Sequence, residues 1–429
     1  MEQTILVTLA YQGGPPDTDE SLAELQRLTA TAGGEVVLAK KFSRTKPDAA
    51  LFFGSGQVSQ LADRLRVLQA DLLIVDHELR PVQQRNLEAA LRCRVIDRTQ
   101  LILDIFARRA HSHEGKLQVE LAQLSYLLPR LTGKGVALSR LGGGIGTRGP
   151  GETKLEYDRR RVRDRIVVLK KQLRSVAQTR FLHRQDREAV PLPLVSLVGY
   201  TNAGKSALLN ALTGEKALVE DKLFATLDLA TRKVILPPSL EILLTDTVGF
   251  IRRLPHYLVA AFRGTLEEVV SADLLLHVVD GADADAAGHI LTVRQVLGEL
   301  GARDKATILL LNKADIISRN LRARLTHQFP TALLVSAVTG QGLDRLRREI
   351  GRRLARDWPT VTLRLPYAEA DLRALILRRG RVLRESFGAT MVTLRAQLPP
   401  KLLGQIEEIR RRYRQEHQNG DRPRVRVSS

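Results

Sequence analysis

The sequence predicts a multidomain α/β protein built around a P-loop domain with a mostly parallel sheet. Three observations carry that expectation. The chain runs to 429 residues, so about three or four folding units are expected rather than one core. Strand-like apolar runs alternate with segments of helical period over most of its length. The stretch Gly199-Tyr-Thr-Asn-Ala-Gly-Lys-Ser206 reads GxxxxGKS, between the apolar run Pro193 to Val198 and the amphipathic segment Ala207 to Thr213. A glycine loop joining strand to helix turns backbone N–H groups toward one point beside the positive end of the helix dipole, which makes a phosphate cradle.

Residues 1–108 are read as a small α/β domain with a mostly parallel sheet. Its strands are expected at Ile5 to Ala10, Glu35 to Ala39, Leu72 to Asp76 and Arg94 to Ile96. Helices are expected at Leu22 to Ala32, Val58 to Gln69 and Val82 to Leu91. Over 109–190 the period changes. Leu117, Leu121, Leu124, Leu128 and Leu131 recur at spacings of four and three, as do Val162, Ile166, Leu169, Leu173 and Val176. Two such stripes predict an antiparallel helical hairpin or coiled-coil arm. Between them lies Leu141-Gly-Gly-Gly-Ile-Gly-Thr-Arg-Gly-Pro-Gly-Glu-Thr153. Its formal GxGxxG lacks the preceding strand that a dinucleotide fold requires. The loop reads either as a close backbone approach to phosphate or RNA, with Arg148 and Lys154 as anion contacts, or as a passive hinge. Residues 191–357 are read as the P-loop domain, closed by a helix with the stripe Leu343, Leu346, Ile350 and Leu354. Residues 358–414 read as a βαββα module, and 415–429 as a polar, basic tail expected to be disordered.

Composition bounds the function. Apolar residues make up 44% of the chain but aromatic residues only 4%, so base stacking on aromatic platforms is not the main design. Lys and Arg number 67 against 47 Asp and Glu, a net charge of +20, which favours a polyanionic partner. The arginines cluster, notably at Arg159 to Arg165, Arg345 to Arg356 and Arg378 to Arg384. Solvated helix faces explain some of these runs, and Arg159, Arg160 and Arg163 on the second hairpin helix are the candidates for RNA contact. A single cysteine, Cys93, excludes an internal disulfide framework and a cysteine metal cluster. No basic, apolar leader opens the chain, and no run reaches the roughly 20 apolar residues that span a bilayer. A cytoplasmic monomer is expected.

The nucleotide motifs follow in order. Gly199, Tyr200, Thr201, Asn202, Ala203, Gly204 and Ala207 supply the cradle, Lys205 a charge at the outer phosphates, and Ser206 a hydroxyl ligand for Mg²⁺. Asp246-Thr-Val-Gly249 ends the apolar run Leu240 to Leu244; Asp246 can hold Mg²⁺ through water and the Gly249 N–H can meet the γ-phosphate. Asn312-Lys-Ala-Asp315 follows the run Thr307 to Leu311. A carboxylate at Asp315 accepts from both N1–H and the exocyclic amine of guanine, donors that adenine lacks at that edge. Ser336 and Ala337 suit the loop that supports the base. Phe224-Ala-Thr226-Leu-Asp228 precedes a hairpin turned at Pro237-Pro238-Ser239. Thr226 is the candidate to close over Mg²⁺ and γ-phosphate beside Phe224, with Thr231 in reserve. The residues expected to act in hydrolysis are Lys205, Thr226 and Gly249. Phe250 stands where a water-orienting glutamine is common; an apolar ring cannot orient water, so slow intrinsic hydrolysis is expected. Asn202 either holds the loop by an Asx-type bond or serves a bound potassium ion.

These motifs resemble the HflX family of ribosome-associated GTPases, over nearly the whole chain. The passages that carry the resemblance are Gly142 to Thr153, Glu114-Gly-Lys-Leu-Gln-Val-Glu-Leu-Ala-Gln123, Gln84-Arg-Asn-Leu-Glu88, Phe224 to Asp228, Asp246-Thr-Val-Gly-Phe-Ile251 and Leu254-Pro-His256. The resemblance implies GTP-dependent binding to the large ribosomal subunit and its RNA, and splitting of stalled or idle ribosomes under stress. It also implies an amino-terminal region that reaches toward the peptidyl-transferase region and that in some members is credited with ATP hydrolysis. The chain departs from the family pattern at Leu229-Ala230, where Pro-Thr is usual, at Lys154, where glutamine is common, and in lacking a tryptophan within Gly133 to Ala137. Two other readings stand beside ribosome splitting: a GTP-controlled docking, hibernation or assembly factor, and an ATP-driven RNA remodeller, the latter without a second GxxxxGK[ST] to support it.

Overall fold

The computed structural model describes residues 2–15, 17–131, 150–186, 192–214, 223–224, 230–253, 258, 261–262 and 268–408. The amino-terminal domain alternates β1 (Gln3–Tyr11), α1 (Thr18–Thr31), β2 (Glu35–Arg44), α2 (Ser55–Val67), β3 (Leu72–Val75), α3 (Pro81–Leu91), β4 (Arg94–Asp97) and α4 (Arg98–Arg109). The strands pair in the order β2-β1-β3-β4, all parallel. Both faces are covered by helices, which is why Leu72–Val75 is apolar and buried at every position. Helix α4 is an element the sequence reading did not include. Asp97 caps it by accepting from the Gln100 N–H at 2.9 Å, and Leu101, Ile102, Ile105 and Phe106 bury one face.

The hairpin is α5 (His113–Leu127), a 3₁₀ turn (Leu128–Leu131), and α6 (Pro150–Asp186). Helix α6 starts at Pro150, so Pro150 to Thr153 are helical rather than part of the glycine loop; proline suits a first helical position because its missing N–H would be unpaired there anyway. Leu128 and Leu131 likewise fall in the 3₁₀ turn, beyond the α5 stripe. Leu117, Leu121 and Leu169 are buried in the seam, with Leu124, Ile166 and Leu173 packed against it. Arg165 clamps the hairpin through a bidentate pair with Glu120, at 2.7 and 2.8 Å.

The third domain comprises β5 (Leu194–Gly199), α7 (Lys205–Thr213), β6 (Ala230–Leu236), β7 (Leu240–Asp246), β8 (Leu274–Asp280), α8 (Ala286–Glu299), β9 (Thr307–Asn312), α9 (Arg319–Gln328), β10 (Leu333–Leu334) and α10 (Leu343–Leu354). Its sheet runs β10-β9-β8-β5-β7-β6. All pairings are parallel except β6 with β7, the hairpin turned at Pro237 to Ser239. The last domain is β11 (Thr360–Pro366), α11 (Ala370–Arg379), β12 (Arg381–Phe387) and β13 (Met391–Gln397), followed by helix through residue 408. Its antiparallel sheet, β11-β13-β12, covers one face with Leu372, Ile376, Leu402 and Ile406. Among the described residues no helix is long and apolar enough to cross a membrane.

A buried charge cluster joins the first and third domains. Arg98, at the start of α4, is 3% exposed. It donates to Asp76 at 2.9 Å and to Glu24. Burial alone would lower its pKa, but the paired carboxylates of Glu24 and Asp76 hold it above the usual value. From the third domain, the Tyr200 hydroxyl donates to Glu24, and Arg253 donates to Ser21 and to Asp76 at 3.3 Å. Arg252 donates its N–H to the Tyr200 oxygen at 2.9 Å and reaches Glu20 at 2.8 Å and Asp285.

Two consequences can be measured. Arg98→Met leaves Glu24 and Asp76 buried without their shared cation and should cost about 3–5 kcal/mol in denaturant unfolding; Arg98→Lys should cost less. Burial also keeps two imidazoles neutral: His77 is pushed down to about 4 despite the opposing pull of Asp76, and His277 to about 3. A free histidine titrates near 6.5, so between there and pH ~4 the unfolded chain binds the extra protons. Stability is therefore full above pH ~6.5 and falls as pH drops, by about 1.4 kcal/mol per histidine per unit. Melting temperatures from pH 7 to 4.5 should show the fall, and His77→Phe should make it shallower.

Candidate nucleotide site

Strand β5 delivers the phosphate loop to the carboxyl edge of the sheet, where open α/β sheets bind ligands. Gly199 lies so close to β8 that a Cβ would collide with the Val278 carbonyl oxygen. Gly204 has φ +87° and caps α7; a Cβ there would strike the Asn312 amide. Gly249 follows β7, and its missing Cβ leaves a space bounded by Thr201 Cα at 2.9 Å and Lys205 Nζ at 3.0 Å.

Lys205 is buried and donates to the loop carbonyls of Gly199 at 3.2 Å and Tyr200 at 2.8 Å. Desolvation pushes its ammonium down to about 8, with Asp246 pulling the other way. The Ser206 hydroxyl donates to Asp246 Oδ2 at 2.6 Å. This pair of hard oxygen donors at the mouth of a glycine cradle fits Mg²⁺, which takes one or two protein oxygens and completes its shell with water and phosphate. The segment after Gly249 runs beside the loop: Phe250 N donates to Gly199 O at 3.0 Å and Thr201 N to Phe250 O at 2.8 Å. The Phe250 ring is 1% exposed, buried away from any water that would need orienting.

At the base side, Asn312 clips two loops together. Its amide donates to Ala203 O at 2.9 Å and its carbonyl accepts from Ala337 N at 3.2 Å. Lys313 has φ +62° and reaches Asp280 at 2.6 Å. Ala314 N donates to Val335 O at 3.0 Å, and the Asp315 carboxylate is exposed at the rim. Ser336 is buried and accepts from Thr339 N at 3.1 Å. Ala207 lies in the first turn of α7. Asn202 has φ +61° and is exposed, with no hydrogen bond of its side chain among the described residues.

Some expected residues fall elsewhere. The Phe224 ring is buried edge-on against Phe106 of α4, centroids 4.6 Å apart. A nucleotide contact at Phe224 therefore rests on its backbone alone. Thr231 lies in β6, its hydroxyl 3.0 Å from that of Thr245, so it is committed to the strand ladder and is withdrawn as the reserve for Thr226. Thr226 itself, Arg148 and Leu254 to His256 lie outside the described residues. Lys154 is near the start of α6. Arg159, Arg160 and Arg163 lie on α6, and the guanidiniums of Arg160 and Arg161 sit 5.7 and 5.8 Å from the Tyr157 ring. Sequence reasoning assigned no role to the Tyr200 phenol or to Arg252 and Arg253, which tie the nucleotide loops to the amino-terminal domain. The Arg-Arg pair directly after Asp246 to Ile251 was the available signal.

Comparison with known proteins places these features. Residues 19–107 match the family model described as GTP-binding GTPase N-terminal, 109–187 the GTP-binding GTPase Middle Region, and 194–313 the 50S ribosome-binding GTPase. GTPase HflX of Caldanaerobacter subterraneus subsp. tengcongensis is 48% identical over 401 residues, spanning 92% of this chain and 91% of that protein. GTPase HflX of Escherichia coli strain K12 is 45% identical over 377 residues, 87% of this chain and 88% of its own. With three family models in sequence, and relatives this similar along most of its length, the chain belongs to the HflX family of GTPases.

Proposed function

We propose that this GTPase binds the large ribosomal subunit through ribosomal RNA in its GTP state and separates stalled or idle ribosomes under stress. The observation that carries this reading is the bonding of Tyr200, within the phosphate loop, and of Arg252 and Arg253, just after Gly249, to carboxylates of the amino-terminal domain. A change at the terminal phosphate shifts those residues, and with them the domain and its attached arginine-bearing hairpin. The description of the model matched by residues 194–313 supports the choice of the large subunit as partner.

In this scheme the N–H groups of Gly199 to Ser206 and Ala207 hold the phosphates, and Lys205 leaves the loop carbonyls to meet their charge. Ser206 and Asp246, with Thr226, would hold Mg²⁺, which when bound offsets charge on the β- and γ-phosphates. The Gly249 N–H meets the γ-phosphate, and Asp315 reads guanine over a base loop formed by Asn312, Lys313, Ser336 and Ala337. Because Phe250 cannot orient the attacking water, intrinsic turnover is slow and the ribosome accelerates it. The unengaged Asn202 side chain suits a potassium ion beside the phosphates.

Asp315→Asn exchanges two acceptor positions for a donor. GTP affinity should fall at least ~100-fold, since the guanine donors lose their carboxylate. Xanthosine triphosphate, with a carbonyl in place of the amine, should regain most of it; fluorescence titration with both nucleotides checks this. For the whole reading, the full chain is mixed with intact ribosomes and sedimented with GDP, GTP or a non-hydrolysable analogue. Subunits separating with the analogue would mean binding does the work and hydrolysis recycles the factor. Co-sedimentation without separation would leave a docking factor, and association indifferent to nucleotide would overturn the proposal. Turnover run in K⁺ and in Na⁺ should be faster in K⁺, a difference lost in Asn202→Ala.

A further inference from the structure

The register of the carboxyl-terminal sheet sorts its side chains into two unlike faces. One carries Val361, Leu363, Leu365, Val392, Leu394 and Ala396, covered by α11 and the last helix. The other is open. Across it Thr362 stands opposite Arg395, which stands opposite Arg384; Arg364 stands opposite Thr393, which stands opposite Ser386. Arg381, at one end, donates to Gln397 at 2.9 Å. Thr362, Arg364, Arg384, Ser386 and Arg395 are exposed. The three strands hold a single carboxylate, Glu385, and a bulge at Leu383 leaves it opposite Leu394 on the covered face, bonded to Arg373 of α11 at 2.7 Å.

The pairing of Arg384 with Arg395 is unfavourable by itself. Side chains directly opposite on antiparallel strands stand close enough for like charges to repel. Among the described residues neither guanidinium meets a carboxylate. Among the described residues the face combines cations and hydroxyl donors with no acid from its own strands, and its exposed large apolar side chains, Leu383 at the bulge and Met391 at a strand end, lie apart rather than as one patch that would anchor a protein interface. The geometry points to an RNA phosphate-backbone surface on the open face of the β11-β13-β12 sheet, centred on Arg384 and Arg395. Phosphate oxygens take the guanidinium and hydroxyl donors, and a polyanion removes the cross-strand repulsion. This rests on the ribosome-binding reading and extends it to a domain with no part in nucleotide binding.

The test uses the full chain, the variant R384Q/R395Q and the charge-preserving R384K/R395K. Probes are protein-free RNA from the large subunit and the intact subunit, each titrated over a range of salt. Loss of two phosphate contacts should weaken RNA binding about tenfold or more and lower the slope of log affinity against log salt by about 2. The lysine variant should keep most of the affinity. Basal GTP turnover should not change, and the melting temperature of the glutamine variant should hold or rise as repulsion is relieved. Unchanged RNA affinity and salt slope in the glutamine variant overturns the inference. So does weakened binding to the intact subunit with naked RNA unaffected, which would assign the face to a ribosomal protein. Failure of the unmodified chain to bind either probe overturns the ribosome-binding reading as well.

Discussion

The arrangement of this molecule depends on a set of charges withdrawn from water between its first and third domains. Arg98, Glu24 and Asp76 are each under 5% exposed, and removing such groups from solvent costs several kcal/mol per ion. The cost is offset only where every partner sits in place. Those partners come from both sides: Ser21 and Arg98 from the amino-terminal domain, Tyr200 and Arg253 from the segments around the phosphate site. Buried ion pairs add little net stability over an apolar core, but they are exacting about geometry. The domain junction is thus set by where the Gly249 to Arg253 segment runs, and that path is bonded to the phosphate loop through Phe250.

The separation of structural from available charge changes how the basic composition should be read. The excess of +20 gives no hint of which arginines are already engaged. Arg165 is occupied with Glu120, Arg352 and Arg353 with Glu349, and Arg130 with Asp97 while its guanidinium stacks 3.5 Å from the Tyr126 ring. Such residues act as internal fasteners. The cations that matter for an anionic partner are those whose neighbours are other cations or hydroxyls, and only the folded register reveals them.

Much of the fold was legible because its signals are local. The Leu72–Val75 run, the glycine punctuation at Gly199 and Gly204, and the turn at Pro237 to Ser239 each dictate backbone geometry without outside help. Helix α4 was missed because Leu101 to Phe106 is a short apolar run that suits strand or helix, although Asp97 and Thr99 before it signal a cap. The motifs of the candidate site were legible because Asp246 and Asn312 end strands and Ser206 opens the helix after a glycine loop. The cross-domain bonds were not, because Glu24 and Tyr200 stand 176 positions apart and no periodicity links them. The open arginine face was hidden for a related reason: the bulge at Leu383 resets which residues of β12 share a side.

Strand β7 carries a mechanical implication. At one end it presents Asp246 to the Ser206 hydroxyl; at the other its turn holds the last domain, where Ser239 donates to the Leu377 carbonyl of α11 at 2.9 Å. Seven residues of extended chain span roughly 20 Å, and a strand paired on both sides resists bending. The terminal module is therefore mounted on a stiff rod whose far tip adjoins the phosphate loop, so its attitude is governed by that strut as well as by the Trp358-Pro359 connection.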